Sequence, residues 1–250
     1  MKSNIKRLAF SAGSILIWVL LWHIIATIVN KNLIFHIPLP LDTLKEFLVS
    51  IRNYSFWTAV FSSLWHILSG FILGILLGLL FGLLSGNSLI FKTFAGPISR
   101  LIRSVPVAAL IILAWLWIPS DLIPTFIVIL MVMPIVWLQV ETALFSIDNR
   151  LIEMARVMGM KKSGILKHIK IPAILPHFRE ACISGLGFAW KSGVAAEVIC
   201  NPTGSLGALL SNAKNNLEYS RVFAIIFMIV ILSFILENII KLLWKEHDYD

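Results

Sequence analysis

The sequence predicts an all-α polytopic membrane protein of six transmembrane helices, and three observations carry that prediction. Hydrophobic residues make up 58% of the 250 and charged residues only 14%, with a mean hydropathy of +0.90. A soluble domain has nearer a quarter of its residues charged. Long apolar runs recur along the chain at lengths that suit a bilayer. Lysine and arginine gather in alternate connections between those runs, as the positive-inside rule requires. The chain reads as one transmembrane domain, 1–250, without a convincing internal repeat.

Composition also excludes several classes. The net charge of +8 is spread over the connections that flank the apolar runs, so it does not mark a nucleic-acid partner. Cys182 and Cys200 share one apolar segment and cannot form a disulfide framework. The six histidines lack metal-ligand spacing, and no cofactor is expected. There is no Gly-Xaa4-Gly-Lys-Ser/Thr phosphate loop for ATP, no His-Glu-Xaa-Xaa-His and no Gly-Xaa-Ser-Xaa-Gly.

In chain order, Lys2, Lys6 and Arg7 precede an uncharged run from Leu8 to Val29. It is too long for a signal-peptide core and lacks a small-Xaa-small cleavage site, so it reads as an uncleaved first span with Trp18 and Trp22 toward an interface. Pro38 and Pro40 break the linker 30–55, where Leu41 to Ile51 suits an amphipathic helix on the outer surface. Phe56 to Leu84 is the second span. Asn87 to Ser104 is a cytoplasmic connection, and Val105 to Ile118 a short third span. After a tight turn at Pro119 to Asp121, Leu122 to Val140 is the fourth span, with a kink expected at Pro134. Ile171 to Cys200 is the fifth, Asn201 to Ser220 an external loop, and Val222 to Ile240 the sixth, anchored by Lys241, Trp244 and Lys245. The acidic tail from Glu246 to Asp250 should be solvated.

Two of these spans carry more than hydropathy. The second holds Gly70, Gly74, Gly78, Gly82 and Gly86, each four residues from the last. Glycine is a poor helix former, so such a stripe points to close helix packing, against either a neighbour in the same chain or a partner subunit. The fifth contains Arg179, Glu180, Lys191 and Glu197. The last two lie deep, where a charge usually faces a bundle interior or an aqueous cavity. Gly185, Ala189 and Gly193 form a second small-residue stripe that Glu197 continues. Lys191 and Glu197 are thus candidates to line a translocation path. The structural alternatives are a packed or capping role for Glu197 and a snorkelling one for Lys191.

Basic residues set the orientation. Lys2, Lys6, Arg7, Lys92, Arg100, Arg103, the six basic residues of the connection 148–172, Lys241 and Lys245 fall on one side. Lys31, Lys45, Arg52, Lys214 and Arg221 fall on the other. Both termini are therefore expected in the cytoplasm.

The connection 148–172 is the most specific stretch. It reads Glu153-Met154-Ala155-Arg156-Val157-Met158-Gly159, then nine residues, then Ile169-Lys170-Ile171-Pro172. Asp148 or Asn149 can cap a short helix that carries Leu151, Ala155 and Met158 on one face. Gly159 suits the left-handed position that ends it, and Pro172 and Pro176 restart the chain. The expected element is a helix-turn-helix outside the bilayer, rigidly joined to a span.

This stretch resembles the cytoplasmic signature of permease subunits of bacterial ABC importers: Glu-Xaa-Ala, three residues, Gly, nine residues, Ile-Xaa-Leu-Pro. Met154 stands where the family usually has Ala, and Ile171 where it has Leu. Ser63-Leu64 to Gly70-Phe71, Arg103-Ser104-Val105-Pro106-Val107, Ala189 to Glu197 and Gly204-Ser205-Leu206-Gly207 resemble the nitrate/sulfonate/taurine branch. His66, where the branch commonly has Arg, and Trp117-Ile118-Pro119-Ser120-Asp121, in place of a Gly-rich turn, depart from it. The resemblance implies a type I ABC importer permease fold. It implies that Glu153, Met154, Ala155, Arg156 and Gly159 belong to a coupling helix docked on an ATP-binding subunit. It also implies two ATPase copies, a second permease copy, an extracytoplasmic substrate-binding protein and a surrounding lipid membrane. The expected cargo is a small anionic or zwitterionic solute such as a sulfonate, nitrate or taurine. The alternatives are another small solute such as a vitamin precursor, or an ion-coupled secondary carrier that works through Lys191 and Glu197 without an ATPase.

Overall fold

The computed structural model describes residues 2–31 and 36–245, which form eleven α-helices and no strands. They are α1 (Lys2–Val29), α2 (Pro40–Ser50), α3 (Tyr54–Asn87), α4 (Leu89–Ser104), α5 (Val107–Trp115), α6 (Ile123–Phe145), α7 (Asn149–Val157), α8 (Lys162–Ile165), α9 (Ile171–Cys200), α10 (Leu206–Asn215) and α11 (Tyr219–Lys245). The acidic tail 246–250 and residues 32–35 of the linker lie outside the described residues.

The centre of the bundle is the contact between α3 and α6, made by the glycine stripe. A Cβ on Gly74 would sit 2.9 Å from Val132 Cβ, and one on Gly78 or Gly82 would sit 2.7 Å from Val136 Cβ or Val140 Cβ. Gly70 lies against Val128 and the Thr125 carbonyl, and Gly86 against Leu144. Each step of four along α3 is matched by a step of four along α6. The groove is therefore filled by a neighbour in the same chain, whose β-branched valines insert where α3 has no side chains. The two registers rise together, so α3 and α6 run parallel.

Parallel neighbours require the chain to come back between them. From the level of Gly86 to that of Gly70 the return is about 24 Å at 1.5 Å per residue. The segment expected as a basic loop followed by a third span does this in an unexpected way. Residues 89–104 are an amphipathic helix, capped by Ser88 Oγ accepting from Phe91 N at 3.3 Å. At Ser104 the chain turns through 101° into α5. Val105, in the extended conformation, and Pro106 make the bend, because the residue before a proline avoids the helical region. Helix α5 has nine residues, too few to cross a membrane by itself. By length and composition α3, α6 and α11 can span, and α4 with α5 makes a fourth if the bent pair is one span.

Helix α9 lies across the α3–α6 pair. Gly193 takes Ile67 and Val128, and Gly185 approaches Phe71 and Val132, so its small-residue stripe also faces inward. Its charges keep it below the hydropathy of an ordinary span; packing supports it instead. Pro134 is accommodated inside an unbroken α6. The external loop expected at 201–220 holds α10, whose Leu206 and Ala213 are buried with Phe56, Val60, Ile225 and Met228. Helix α2 forms where amphipathicity predicts it and packs on α11 through Phe47 and Phe227, with ring centroids 5.4 Å apart.

Candidate functional site

The connection between α6 and α9 is built by its termini. Asp148 caps α7, its Oδ1 accepting from Arg150 N at 2.8 Å. At the other end Gly159 has φ +76°, Gly159 N donates to Arg156 O and Met160 N donates to Ala155 O, both at 2.9 Å. These two bonds close the helix in the manner of a Schellman motif. Beyond it the chain does not restart at Pro172 as the sequence suggested. Helix α8 runs through a π-turn, Leu166–Lys170, directly into α9. Ile171 N reaches back five residues to Leu166 O, which absorbs the missing N–H of Pro172 without breaking the rod.

Of the expected face Leu151, Ala155 and Met158, only Ala155 is buried. The short helix touches the bundle with little more than that one side chain. Leu151, Met154, Val157 and Met158 are exposed, and Glu153, Arg150 and Arg156 with them. These apolar side chains leave an uncovered patch on a connection that is otherwise polar. Behind α7 a cleft of about 310 Å³ is lined by Ile152, Arg156, Lys162, Ile165, Leu166 and Lys170. Lys170 donates to Asn87 Oδ1 at the C-terminal end of α3, which ties this connection to the central pair.

The two deep charges of α9 separate completely. Glu197, a candidate to line a path, has 0% of its surface exposed. Ser63 Oγ donates to its Oε2 at 2.6 Å, Gly207 N donates to the same oxygen at 3.1 Å, and His66 Nδ1 lies 3.1 Å from Oε1. Ser63 Oγ also accepts from Leu206 N at 2.8 Å. Glu197 therefore cannot touch a passing solute; it joins α3, α9 and the N-terminus of α10, where a carboxylate satisfies helix-end N–H groups. Gly207 packs directly on the Glu197 Cβ and backbone, which explains Gly204-Ser205-Leu206-Gly207 as the other half of this joint. Sequence reasoning named Ser63, His66 and Glu197 but could not connect residues so far apart in the chain.

Lys191 is exposed, on a face of α9 with Glu180, Ser184 and Phe188. Beside it Gly187 has nothing within 4 Å. One turn further, Ala195 and Ile199 are covered by Ile111 and Ala114 of α5. Two carboxylates of other helices are engaged with their own lysines: Glu141 with Lys92 at 3.1 Å, and Glu237 with Lys241 at 4.0 Å. Glu141 also accepts from Ser85 Oγ and Trp137 Nε1. It borders a cleft of about 430 Å³ between α4 and α6 that Arg100 and Arg103 line as well.

A bundle of apolar helices, three of them long and apolar enough to cross a membrane and a fourth formed by the bent α4–α5 pair, with a capped, exposed helix outside it, is the architecture of a polytopic membrane protein. The chain belongs to the family of binding-protein-dependent transport system inner membrane components, whose model matches residues 70–245. It is 30% identical over 82% of its length to a probable ABC transporter permease protein of Brucella melitensis, 83% of which is covered. To the taurine transport system permease protein of Escherichia coli it is 25% identical over 93% of its length and 86% of that protein. Among solved structures, an inward-facing MetNI methionine ABC transporter chain matches with a TM-score of 0.64 at 18% identity, over 77% of this chain and 96% of the other. The fold is thus the type I permease fold. The chain is the membrane-embedded permease subunit of an ABC importer, and hydrolysis of ATP belongs to a separate subunit. Membership also implies a substrate-binding protein.

Proposed function

We propose that the permease imports a small anionic or zwitterionic solute of the sulfonate kind, and that Lys191 lines its path. The single observation that carries this reading is the exposed ammonium of Lys191, deep in α9 and without an ion-pair partner among the described residues. A charge at that depth is costly unless water, a counter-charge or a passing anion compensates it. The similarity to a taurine permease supports the same class of cargo. A weak contact serves here, since a tight site inside the path would slow release. Two copies of the chain, or the chain and a close relative, would enclose the path between such faces. In reconstituted complexes with their own ATPase and binding protein, Lys191→Met should assemble normally but take up taurine poorly, and Lys191→Arg should keep part of the uptake. Full uptake by the Met variant would end the proposal.

The same reading makes α7 the coupling helix, with Glu153, Met154, Ala155, Arg156 and Gly159 at the contact with each of two ATPases. Closure of the ATPases would move the rod of α8 and α9 and turn the cavity outward, an alternating access by rigid-body rocking. The termini then lie in the cytoplasm. A cysteine replacing Asn215, not one replacing Lys2, should react with an impermeant reagent outside intact cells; the reverse pattern would invert the orientation. Gly159→Val tests the coupling role. A Cβ at Gly159 meets open space, so the substitution acts through the backbone alone. Holding a β-branched residue at positive φ costs roughly 1–3 kcal/mol. Insertion should be unchanged while ATPase stimulation by the loaded binding protein falls several-fold; undiminished stimulation would remove the role.

A further inference from the structure

We propose that the cleft between α4 and α6 binds a tetrahedral oxyanion group, a sulfonate or a phosphate, between the guanidinium groups of Arg100 and Arg103. Helix α4 carries no acidic residue. Its Lys92, Gly96, Arg100 and Arg103 share one face, which looks across the cleft of about 430 Å³ at Trp137 and Glu141. Its apolar residues Ile90, Phe94, Ile98 and Leu101 lie on the opposite face and are exposed. The charged side chains of the cleft are of two kinds. Lys92 and Glu141 neutralise each other at 3.1 Å, and the second oxygen of Glu141 accepts from Ser85 Oγ and Trp137 Nε1. That pair is committed. Arg100 and Arg103 are exposed and have no carboxylate partner among the described residues. Arg103 Nε donates to the Ser99 carbonyl at 3.4 Å, which lays the side chain along α4 and leaves its outer N–H groups free. Arg100 makes no hydrogen bond among the described residues.

Two like charges one turn apart on a helix repel, and a concave wall concentrates their field. An anion relieves both. The geometry sets its kind. A guanidinium offers a planar fork of N–H donors, so two forks on one wall call for an acceptor with oxygens facing each of them. A tetrahedral sulfonate or phosphate has those oxygens, whereas a planar carboxylate fills a single fork. Gly96 leaves room for the ligand: a Cβ there would have nothing within 4 Å, so the group can approach the backbone of α4 one turn before Arg100. The site lies on other helices than Lys191 and stands apart from the role given to that residue.

The test uses the full-length permease with Lys191→Met as the background, so that no sulfonate is counted at that side chain. The protein is held in phosphatidylcholine nanodiscs and titrated with trifluoromethanesulfonate, whose fluorine resonance broadens on binding. The broadening should saturate and be reversed by methanesulfonate. Arg100→Gln and Arg103→Gln should each weaken binding about tenfold, the worth of one charge-assisted hydrogen bond. Gly96→Leu fills the cleft, leaves every charge in place and should abolish binding. Broadening that does not saturate, or full binding by folded Gly96→Leu, would reduce the arginines to solvated surface charge and overturn the proposal. Undiminished binding in both arginine variants overturns it too. The Gly96 arm stands even if an arginine variant fails to fold, because a Cβ at Gly96 meets no neighbouring atom. Nanodiscs containing phosphatidylglycerol then identify the source of the oxyanion. Displacement of the probe assigns the site to a lipid headgroup, and retention of the probe assigns it to a free solute.

Discussion

Gly78→Leu should abolish accumulation of folded permease. A single Cβ at that position would already lie 2.7 Å from both Val136 Cβ and the Met133 carbonyl oxygen. The obstacle includes backbone, which no change of rotamer removes. Overpacking of a core costs on the order of 1–3 kcal/mol and more where the backbone must move. The stripe repeats every four residues, so α6 cannot slide away at Gly78 without lifting its valines from Gly74 and Gly82. Monodisperse protein after solubilisation, measured by fluorescence-detected size exclusion, should fall at least tenfold. Gly187→Ala, at a glycine with nothing within 4 Å, should leave the yield unchanged. Normal yield and uptake from Gly78→Leu would show the α3–α6 contact to be incidental.

Glu197→Ala should be nearly as damaging, for a polar reason rather than a steric one. The substitution leaves the Ser63 hydroxyl, the Gly207 N–H and His66 facing a dry cavity. Removing one partner of a buried charged network costs about 3–5 kcal/mol, far more than the network's net worth, because the remaining groups cannot return to water. The N-terminal part of α3, the C-terminal end of α9 and the start of α10 should loosen together, lowering the Tm of the purified chain by many degrees. Glu197→Gln keeps an acceptor for Ser63 or Gly207 and should recover most of that loss. A carboxylate whose role was contact with cargo would behave oppositely, with an unchanged Tm and lost uptake.

These two residues also divide what was legible from what was not. The glycine spacing identified a packing face before any fold was known, because four-residue spacing repeats nearly one helical turn. It could not identify the occupant. Helix α6 is apolar all round, so Val128, Val132, Val136 and Val140 carry no amphipathic contrast against their neighbours. Glu197 and Lys191 looked alike in sequence, two charges in one apolar segment. They differ because one is closed in by Ser63 and His66 of α3 and the other lies on the open face, and no local pattern encodes a contact across more than a hundred residues.

The sequence alone determined the class of the protein, its helical, apolar character and the local chemistry of the connection 148–172. Asp148 and Gly159 do their work within one or two turns of chain, so residue type and spacing suffice to place them. The tertiary structure decided the rest: the parallel register of α3 and α6, the right-angled α4–α5 return, the burial of α10 and the unbroken passage through Pro172. Each depends on which faces meet, and in a uniformly apolar chain hydrophobicity drives every face to bury without saying against what. Shape complementarity between glycines and valines, and a few buried hydrogen bonds, make that choice.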